Sequence, residues 1–344
     1  MVALKEVADF ANGKAHEDSV SEDGKYILIN SKFISTEGKV KKYTDKQLSP
    51  LYKNQIVMVM SDLPNGKALA KCYYINEDDK YTLNQRICSL TPTCCDSRFL
   101  LYQINRNKYY LRFDDGVYQT NLKKGEVLNC PVYLPSSNEQ QKISALLSLL
   151  DQRIATQKKV IEKYESLIRG LCEKLTRQGD TNKSINECLE CHSSTLQESE
   201  VLDTGRYPVY GAIGVCGYTD TPDVSGDGII IIKDGASVGV TYFADGCYSS
   251  IGTLNRLTAK QGINLRYVYY CLKVMNFAPY KTGLAIPHIY FKDYGKHKIW
   301  CPPFERQSRI ADALTNIDNK IHVEKLLLEQ LNSQKRYMLN QLFI

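Results

Sequence analysis

The sequence predicts a mixed α+β protein: two globular α/β domains joined by two long antiparallel coiled-coil helices, with a pseudo-twofold internal repeat. Three observations carry this reading. The segment PSSNEQQKISALLSLLDQRI at 135–154 returns, altered, as PPFERQSRIADALTNIDNKI at 302–321. Each copy opens an apolar stripe at heptad spacing. Ahead of each copy, short runs rich in Val, Ile, Thr and Tyr alternate with Gly, Asp, Asn and Pro.

In chain order, the reading places a first domain over 1–134, a first long helix over 135–178, a second domain over 179–300 and a second long helix over 301–344. In the first domain, DGKYILIN at 23–30 and the run VMVM at 57–60 read as strands, the latter followed by the polar loop SDLPNGK. The first long helix starts after Pro135, where proline precedes a helix without removing one of its bonds. Its stripe is Ile143, Leu147, Leu150, Ile154, Ile161, Tyr164, Ile168, Leu171 and Leu175, broken only at Gln157. The second domain repeats the earlier order with TGRYPVYG at 204–211, the turn-rich TDTPDVSGDG at 219–228, IIII at 229–232 and the loop KDGASVG. The second long helix carries Ile310, Leu314, Ile317, Ile321, Leu328, Leu331, Met338 and Leu342, interrupted by Glu324 and Lys335. Roughly 38 residues per helix would span about 57 Å at 1.5 Å per residue.

Eleven identities stand at the single offset of 167, from Pro135/Pro302 and Gln140/Gln307 through Asp151/Asp318 to Leu175/Leu342. That makes the segment an internal duplication. It continues upstream with Tyr102/Tyr269 and Gly116/Gly283, and Asn121–Leu122 stands opposite His288–Ile289. Nearer the domain starts the offset becomes 181, so the first domain is about 14 residues longer. Neither helix has a complete apolar belt, so each seam needs a cover. A generic coiled-coil dimer would supply one. Pairing of the two helices within the chain is preferred, because the globular segment between them lets the chain leave along one helix and return along the other.

Composition sets the class. At 43% hydrophobic and 24% charged residues the chain is ordinary for a soluble globular protein, and no run approaches 18 apolar residues. The opening MVALKEVADF lacks the regions of a signal peptide, which favours a cytosolic protein. The twelve cysteines, Cys94 and Cys95 adjacent among them, then read as reduced thiols. Net charge is +3 over 1–134, +3 over 135–178, −1 over 179–300 and +1 over 301–344. A strong independent nucleic-acid binder shows a more basic face, so any DNA binding should be weak alone and helped by a partner.

Smaller motifs carry little chemistry. CPPF at 301–304 resembles the [DNS]PP[YFW] motif of amino-methyltransferases, but cysteine is a poor acceptor at the first position and no glycine-rich cofactor loop precedes it. CLECH at 188–192 fits the c-type haem pattern, which requires export, and no second CxxC is present to complete a zinc site. GKA at 13–15 and 66–68 lacks both the hydroxyl and the spacing of a phosphate loop. His16, His192, His288, His297 and His322 form no metal-like cluster in the sequence. No catalytic residue and no metal ligand is assigned.

The duplicated layout, with GLAIPHIYFKDYGKHKIWCPPFERQSRIADALTNIDNKI at 283–321, resembles the specificity subunit of type I restriction–modification systems. The residues that carry the resemblance are Gly283, Pro287, Ile289, Ile299, Pro302, Pro303, Glu305, Gln307, Ile310, Asp318 and Ile321. The first copy keeps Gly116, Leu122, Val132, Pro135, Gln140, Ile143, Asp151 and Ile154, but has PSSNEQQ where a fuller PP-x-x-EQ is expected. YPVYGAIGVCGY at 207–218 and IIIIKDGASVG at 229–239 are similar to a common class of second recognition domain.

The resemblance implies a non-catalytic reader of DNA. Each domain would be a target-recognition domain for one half of a split sequence in double-stranded DNA. The paired helices would set the separation and dock two methyltransferase subunits, through which restriction/translocase subunits join. S-adenosylmethionine, ATP and Mg are then expected on those partners, with no cofactor in this chain, no membrane, and a prokaryotic cytoplasmic location. The helix-pairing seam would be Ile143, Leu147, Leu150, Ile154 and Ile161 with Ile310, Leu314, Ile317, Ile321 and Leu328. Base edges and phosphates are reached by polar and basic side chains on loops. The first-domain candidates are Lys14, His16, Asn30, Lys32, Lys67, Arg112, Tyr118, Gln119 and Asn121. Those of the second are Tyr207, Tyr210, Lys233, Asp234, Ser237, Tyr280, Lys281, Thr282 and His288. The rival reading is a coiled-coil scaffold, or an orphan specificity-like subunit serving another DNA-directed system.

Overall fold

The computed structural model describes residues 1–283 and 285–343. The chain forms two compact units, Met1–Thr156 with Glu329–Ile344, and Gln157–Leu328. Both long helices therefore contribute to both units: the first is Ser137–Thr176, of 40 residues, and the second Phe304–Leu342, of 39.

The first unit is organised around one strand. Ile56–Val59, one residue earlier than the VMVM run, is buried along its whole length. It pairs antiparallel with Ile87–Pro92 and Cys72–Tyr74, and Ala8–Asn12 completes the four-stranded sheet on the far side of Ile87–Pro92. Side chains alternate across a strand. Ile56 and Met58 enter one core with Leu100 and Ile104, while Val57 and Val59 enter a second with Phe33 and Leu83. A strand with a core on each side needs apolar residues at every position, which is why its sequence reads as an unbroken run. A second sheet sets Tyr26–Ile29 parallel to Tyr81–Leu83.

The second unit repeats this plan. Gly228–Ile232 is the fully buried central strand, between Leu254–Ala259 and Thr241–Ala244, with Leu189–Ser193 at the edge. Ile229 and Ile231 face one core, Ile230 and Ile232 the other. Its second sheet likewise holds one parallel pair, Tyr207–Gly211 with Cys247–Ser250. The strand starting at Tyr26 thus corresponds to that starting at Tyr207, as the offset of 181 requires.

In each unit a short helix lies against the first part of one long helix. In the first unit it is Ser97–Ile104, in the second Leu265–Lys273. Asp96 caps the former by accepting from the Phe99 amide at 2.8 Å, and Asn264 caps the latter through the Tyr267 amide at 3.0 Å. The missing second proline of the first copy has a local replacement. Ser136 and Glu139 form a capping box, with the Ser136 hydroxyl donating to the Glu139 carboxylate at 2.7 Å and the Glu139 amide donating back to that hydroxyl at 3.4 Å.

The long helices pack on one another within each unit. In the second, Gln157 donates its amide to the Glu324 carbonyl at 3.0 Å and to the Glu324 carboxylate. These are the two residues that break the apolar stripes, and they stand 167 positions apart. Equivalent residues meet where antiparallel equivalent helices cross, so the interruptions satisfy each other. In the first unit, Lys335, the other break, pairs with Asp151. Leu147, Leu150, Ile154, Ile161, Ile310, Leu314 and Ile321 are buried, while Ile143, Ile317 and Leu328 are half-buried. Ile310 and Leu314 belong to the same core as Tyr267, Val268 and Cys271 of the short helix, so part of the stripe covers its own domain.

All twelve cysteines are free. Among the described residues no helix is long and apolar enough to cross a membrane, and no group of three or more His, Cys, Asp or Glu side chains could hold a metal ion.

Candidate nucleic-acid interface

The duplicated fold builds the same pair of loops twice. In the first unit, the loop that follows the central strand is joined to the segment before Leu122: Ser61 pairs with Asn121 and Asp62 with Thr120. In the second unit, Asp234 and Thr282 both form bridges to His288, and the Ile289 amide donates to the Lys233 carbonyl at 2.9 Å. Asn121 and His288 are the positions related by the offset of 167.

Asp62 closes its own loop, accepting from the Ala68 amide at 2.6 Å and the Leu69 amide at 3.0 Å. Across it, Gln119 donates to the Ser61 hydroxyl at 2.7 Å. Asn30 caps the helix Ser31–Ser35 by accepting from the Phe33 amide at 2.8 Å. Asn30, Ser61 and Gln119 line one open cleft with Asn84, Gln85 and Arg86. Asn121, Lys32 and Lys67 are exposed. Tyr118 is 74% exposed beside Asp115, whose carboxyl is held below its ordinary range by the Tyr118 and then the Val117 amide. Arg112 lies over the Tyr109 ring at 4.0 Å and the Phe113 ring at 4.9 Å, which fixes the plane of its guanidinium.

The two remaining first-domain candidates lie at positions 14 and 16. Lys14 is exposed and bridges Asn84 through its backbone. His16 is only 2% exposed. Its Nδ1 reaches the Lys14 carbonyl at 2.7 Å and its Nε2 the Thr82 hydroxyl at 3.0 Å, so neither ring nitrogen is left for DNA. This corrects the assignment of His16. Its place in a polar segment, between Ala15 and Glu17, gave no sign of the strand that covers it.

In the second unit Lys233, Asp234, Thr282 and His288 come together, with Lys281 next in the chain, while Ser237 is exposed further along the Lys233 loop. Asp234 accepts from His288 Nδ1 at 2.7 Å. The Lys233 ammonium lies close enough to Cys191 to oppose the burial that lifts that thiol to about 11. Tyr280 is turned inward, its hydroxyl 2.9 Å from His297 Nδ1, and burial followed by Arg177 holds that imidazole below its ordinary range. Tyr207 and Tyr210 lie on the separate strand Tyr207–Gly211, and the Tyr210 ring meets Tyr242 at 6.5 Å and Tyr248 at 5.6 Å.

The sequence reading passed over Arg86 and Gln85. Arg86 is exposed and takes a φ of +65°, turning the chain between Tyr81–Leu83 and Ile87–Pro92. The polar triplet Asn84-Gln85-Arg86 between two apolar strands was the available signal. A second groove, lined by His192, Gln197, Asp223 and Arg256, was also passed over.

Gly283 has a structural duty in this arrangement. Its φ is +87°, and a Cβ there would stand 2.4 Å from the Ile286 carbonyl oxygen. Thr282 and His288 exchange backbone hydrogen bonds of 2.9 and 2.8 Å directly beside it. Gly283→Ala should cost about 1–3 kcal/mol of local stability. Amide exchange of His288 is then expected to accelerate by roughly tenfold or more; unchanged protection would show that the loop absorbs the side chain.

The family model for the type I restriction modification DNA specificity domain matches residues 1–166 and 181–333. This chain belongs to that family. Among curated relatives, the type I restriction enzyme MjaVIII specificity subunit of Methanocaldococcus jannaschii is 34% identical over 124 residues, 35% of this chain and 29% of that protein. The putative type I restriction enzyme MjaX specificity subunit of the same organism is 23% identical over 262 residues, 66% of this chain and 61% of that protein. The chain therefore matches less than two thirds of the length of either relative. The crystal structure of a type I restriction–modification S subunit from M. genitalium has the same fold, with a TM-score of 0.72 and 20% identity over 100% of this chain and 95% of the other.

The specificity-family fold also accounts for the sequence motifs left without chemistry. In CPPF, Asn182 brackets Cys301, accepting from its amide at 2.7 Å and donating to its carbonyl at 2.9 Å. The motif marks the start of a helix. In CLECH, His192 Nε2 meets the Thr258 hydroxyl at 2.9 Å, and the segment supplies the edge strand Leu189–Ser193.

Proposed function

We propose that this chain is the non-catalytic DNA-reading subunit of a type I restriction–modification complex. Each globular domain, 1–134 and 179–300, reads one half of a split target in double-stranded DNA. The long helices, 135–178 and 301–344, hold the two readers and dock two methyltransferase subunits. Restriction/translocase subunits join through that complex. S-adenosylmethionine, ATP and Mg belong to those partners, and the complex works in the prokaryotic cytoplasm.

One observation carries this reading: the same loop pair is built in both copies of the domain. Loops zipped in the same way, presenting Gln119 and Asn121 in one copy and Lys233 and His288 in the other, supply residue types that contact base edges or phosphates. Different residues on one repeated frame suit two different half-sites, as paired protein elements match paired half-sites elsewhere.

Methylome mapping of a host carrying this gene, with a deletion strain beside it, tests the proposal. The expected result is a methylated motif of two short halves around a fixed gap that vanishes on deletion. Identical methylomes, with the partner methyltransferase expressed, would point instead to a scaffold or to an orphan subunit of another DNA-directed system.

A further inference from the structure

We infer that Asp234 and His288 form the base-reading head of the second domain, in which Asp234 sets the polarity of His288 so that its Nε2 accepts a hydrogen bond from an exocyclic amine in the major groove. The inference rests on the DNA-reading function proposed above and names one contact within it.

The geometry begins with the backbone. His288 is held in register by its two hydrogen bonds with Thr282, and the neighbouring Gly235 amide donates to the Pro287 carbonyl at 2.9 Å. The ring is thereby fixed at a point where two loops meet. Its Nδ1 lies 2.7 Å from Asp234 Oδ1. An ionised carboxylate only accepts, so Nδ1 carries the proton in this pair. The lone pair of the neutral ring is then on Nε2, and no hydrogen bond reaches that atom among the described residues. A carboxylate that fixes the imidazole tautomer through one nitrogen decides what the other nitrogen can do.

Three features separate this pair from a simple loop brace. The His288 side chain keeps 36% of its exposure although both its backbone groups and Nδ1 are engaged. Lys233 and Lys281 stand on the same two loops and supply charge for phosphates on either side. The equivalent position in the other copy, Asn121, is also an exposed residue of a type that reads bases.

An acceptor at Nε2 matches the amine of adenine or cytosine and mismatches the carbonyl oxygen of guanine or thymine at the corresponding ring position. Reversing its polarity therefore predicts a transition in the preferred base, purine for purine or pyrimidine for pyrimidine. Asp234→Asn permits this. The amide can donate to Nδ1, in which case the ring proton resides on Nε2 and the ring becomes a donor; loss of the aspartate is known to give the wrong tautomer in a serine-protease triad.

The test uses the full chain assembled with its methyltransferase subunits, and duplexes altered one base pair at a time across both halves of the target. His288→Ala should reduce discrimination about fivefold to tenfold at a single position of one half, leaving the other half as sharp as before. Asp234→Asn should shift preference at that same position by a transition. Even slowing on every duplex, loss of discrimination across the whole half, or no change would each overturn the inference and leave the pair as a brace or a spectator. Wild-type protein that directs methylation to no particular sequence would overturn the proposed function itself, before any variant is compared.

Discussion

Leu314→Asp should lower the unfolding free energy of the second unit by at least about 4 kcal/mol. Leu314 is 0% exposed and belongs to the core that contains Ile168, Cys172, Tyr267 and Cys271. Truncating such a leucine to alanine already costs about 2–5 kcal/mol. Aspartate adds a carboxyl with no partner in an apolar site, which must stay neutral or draw in water. The readout is built into the molecule. Trp300 is the only tryptophan, packs against this same core, carries the Arg306 guanidinium 4.9 Å over its ring, and accepts the Tyr267 hydroxyl at 2.6 Å on its carbonyl. Its fluorescence during urea denaturation should show the transition at far lower denaturant for Leu314→Asp. The neighbouring Ala313 is exposed, and Ala313→Asp should stay within about 1 kcal/mol of the wild type. Equal midpoints for Leu314→Asp and wild type would mean that the long helix does not seal this core.

The long helices and the duplication were legible because both are written in spacing. A stripe at steps of three and four specifies a buried helical face, and a constant offset survives the drift of individual residues. The stripe does not say what covers it. Ile310 and Leu314 have the same pattern as Ile321, yet share a core with the short helix Leu265–Lys273. The interruptions were equally ambiguous in one dimension. Gln157 and Glu324 look like flaws in a seam, and only the crossing of the helices makes them partners. Glu324 is held below the usual carboxylate range first by the Lys320 ammonium and then by that glutamine amide, so its charge is supported on two sides.

Strand content was legible where both faces are buried, as at 57–59 and 229–232, since continuous apolar runs have few other uses in a globular domain. Site residues were much harder to place. Polar loop residues have the same composition whether they face solvent, DNA or their own backbone. His16 shows the failure: its two partners lie at residues 14 and 82, and the second is 66 positions away. Asp234 and His288 show the opposite outcome. Both were candidates only as loop residues, 54 positions apart, and the fold joins them by one hydrogen bond.

The glutamine shared by both copies leads to the second large expected effect. Gln307 is 2% exposed. Its Oε1 accepts from the Asn264 amide at 2.8 Å and its Nε2 donates to the Pro302 carbonyl at 2.8 Å. Gln140 repeats both bonds in the first unit, accepting from Asp96 at 2.9 Å and donating to Pro135 at 2.9 Å. In each case the residue gripped is the cap of the short helix, so one side chain ties the start of a long helix to the start of the helix beside it. The proline and glutamine of the repeated segment are thus two ends of one latch, not merely a helix-start signature. Gln307→Leu keeps the volume but leaves an amide and a carbonyl without partners, at about 1–3 kcal/mol each. We expect the Trp300 transition to lose about 2–4 kcal/mol. Gln307→Glu should do little better, because it restores the acceptor for Asn264 while setting a carboxylate oxygen against the Pro302 carbonyl. A loss below about 0.5 kcal/mol for Gln307→Leu would show that water satisfies both groups and that the latch adds nothing. Gln140→Leu makes the matching case for the first unit, to be followed by amide exchange of the Phe99 amide that Asp96 caps, since that unit holds no tryptophan.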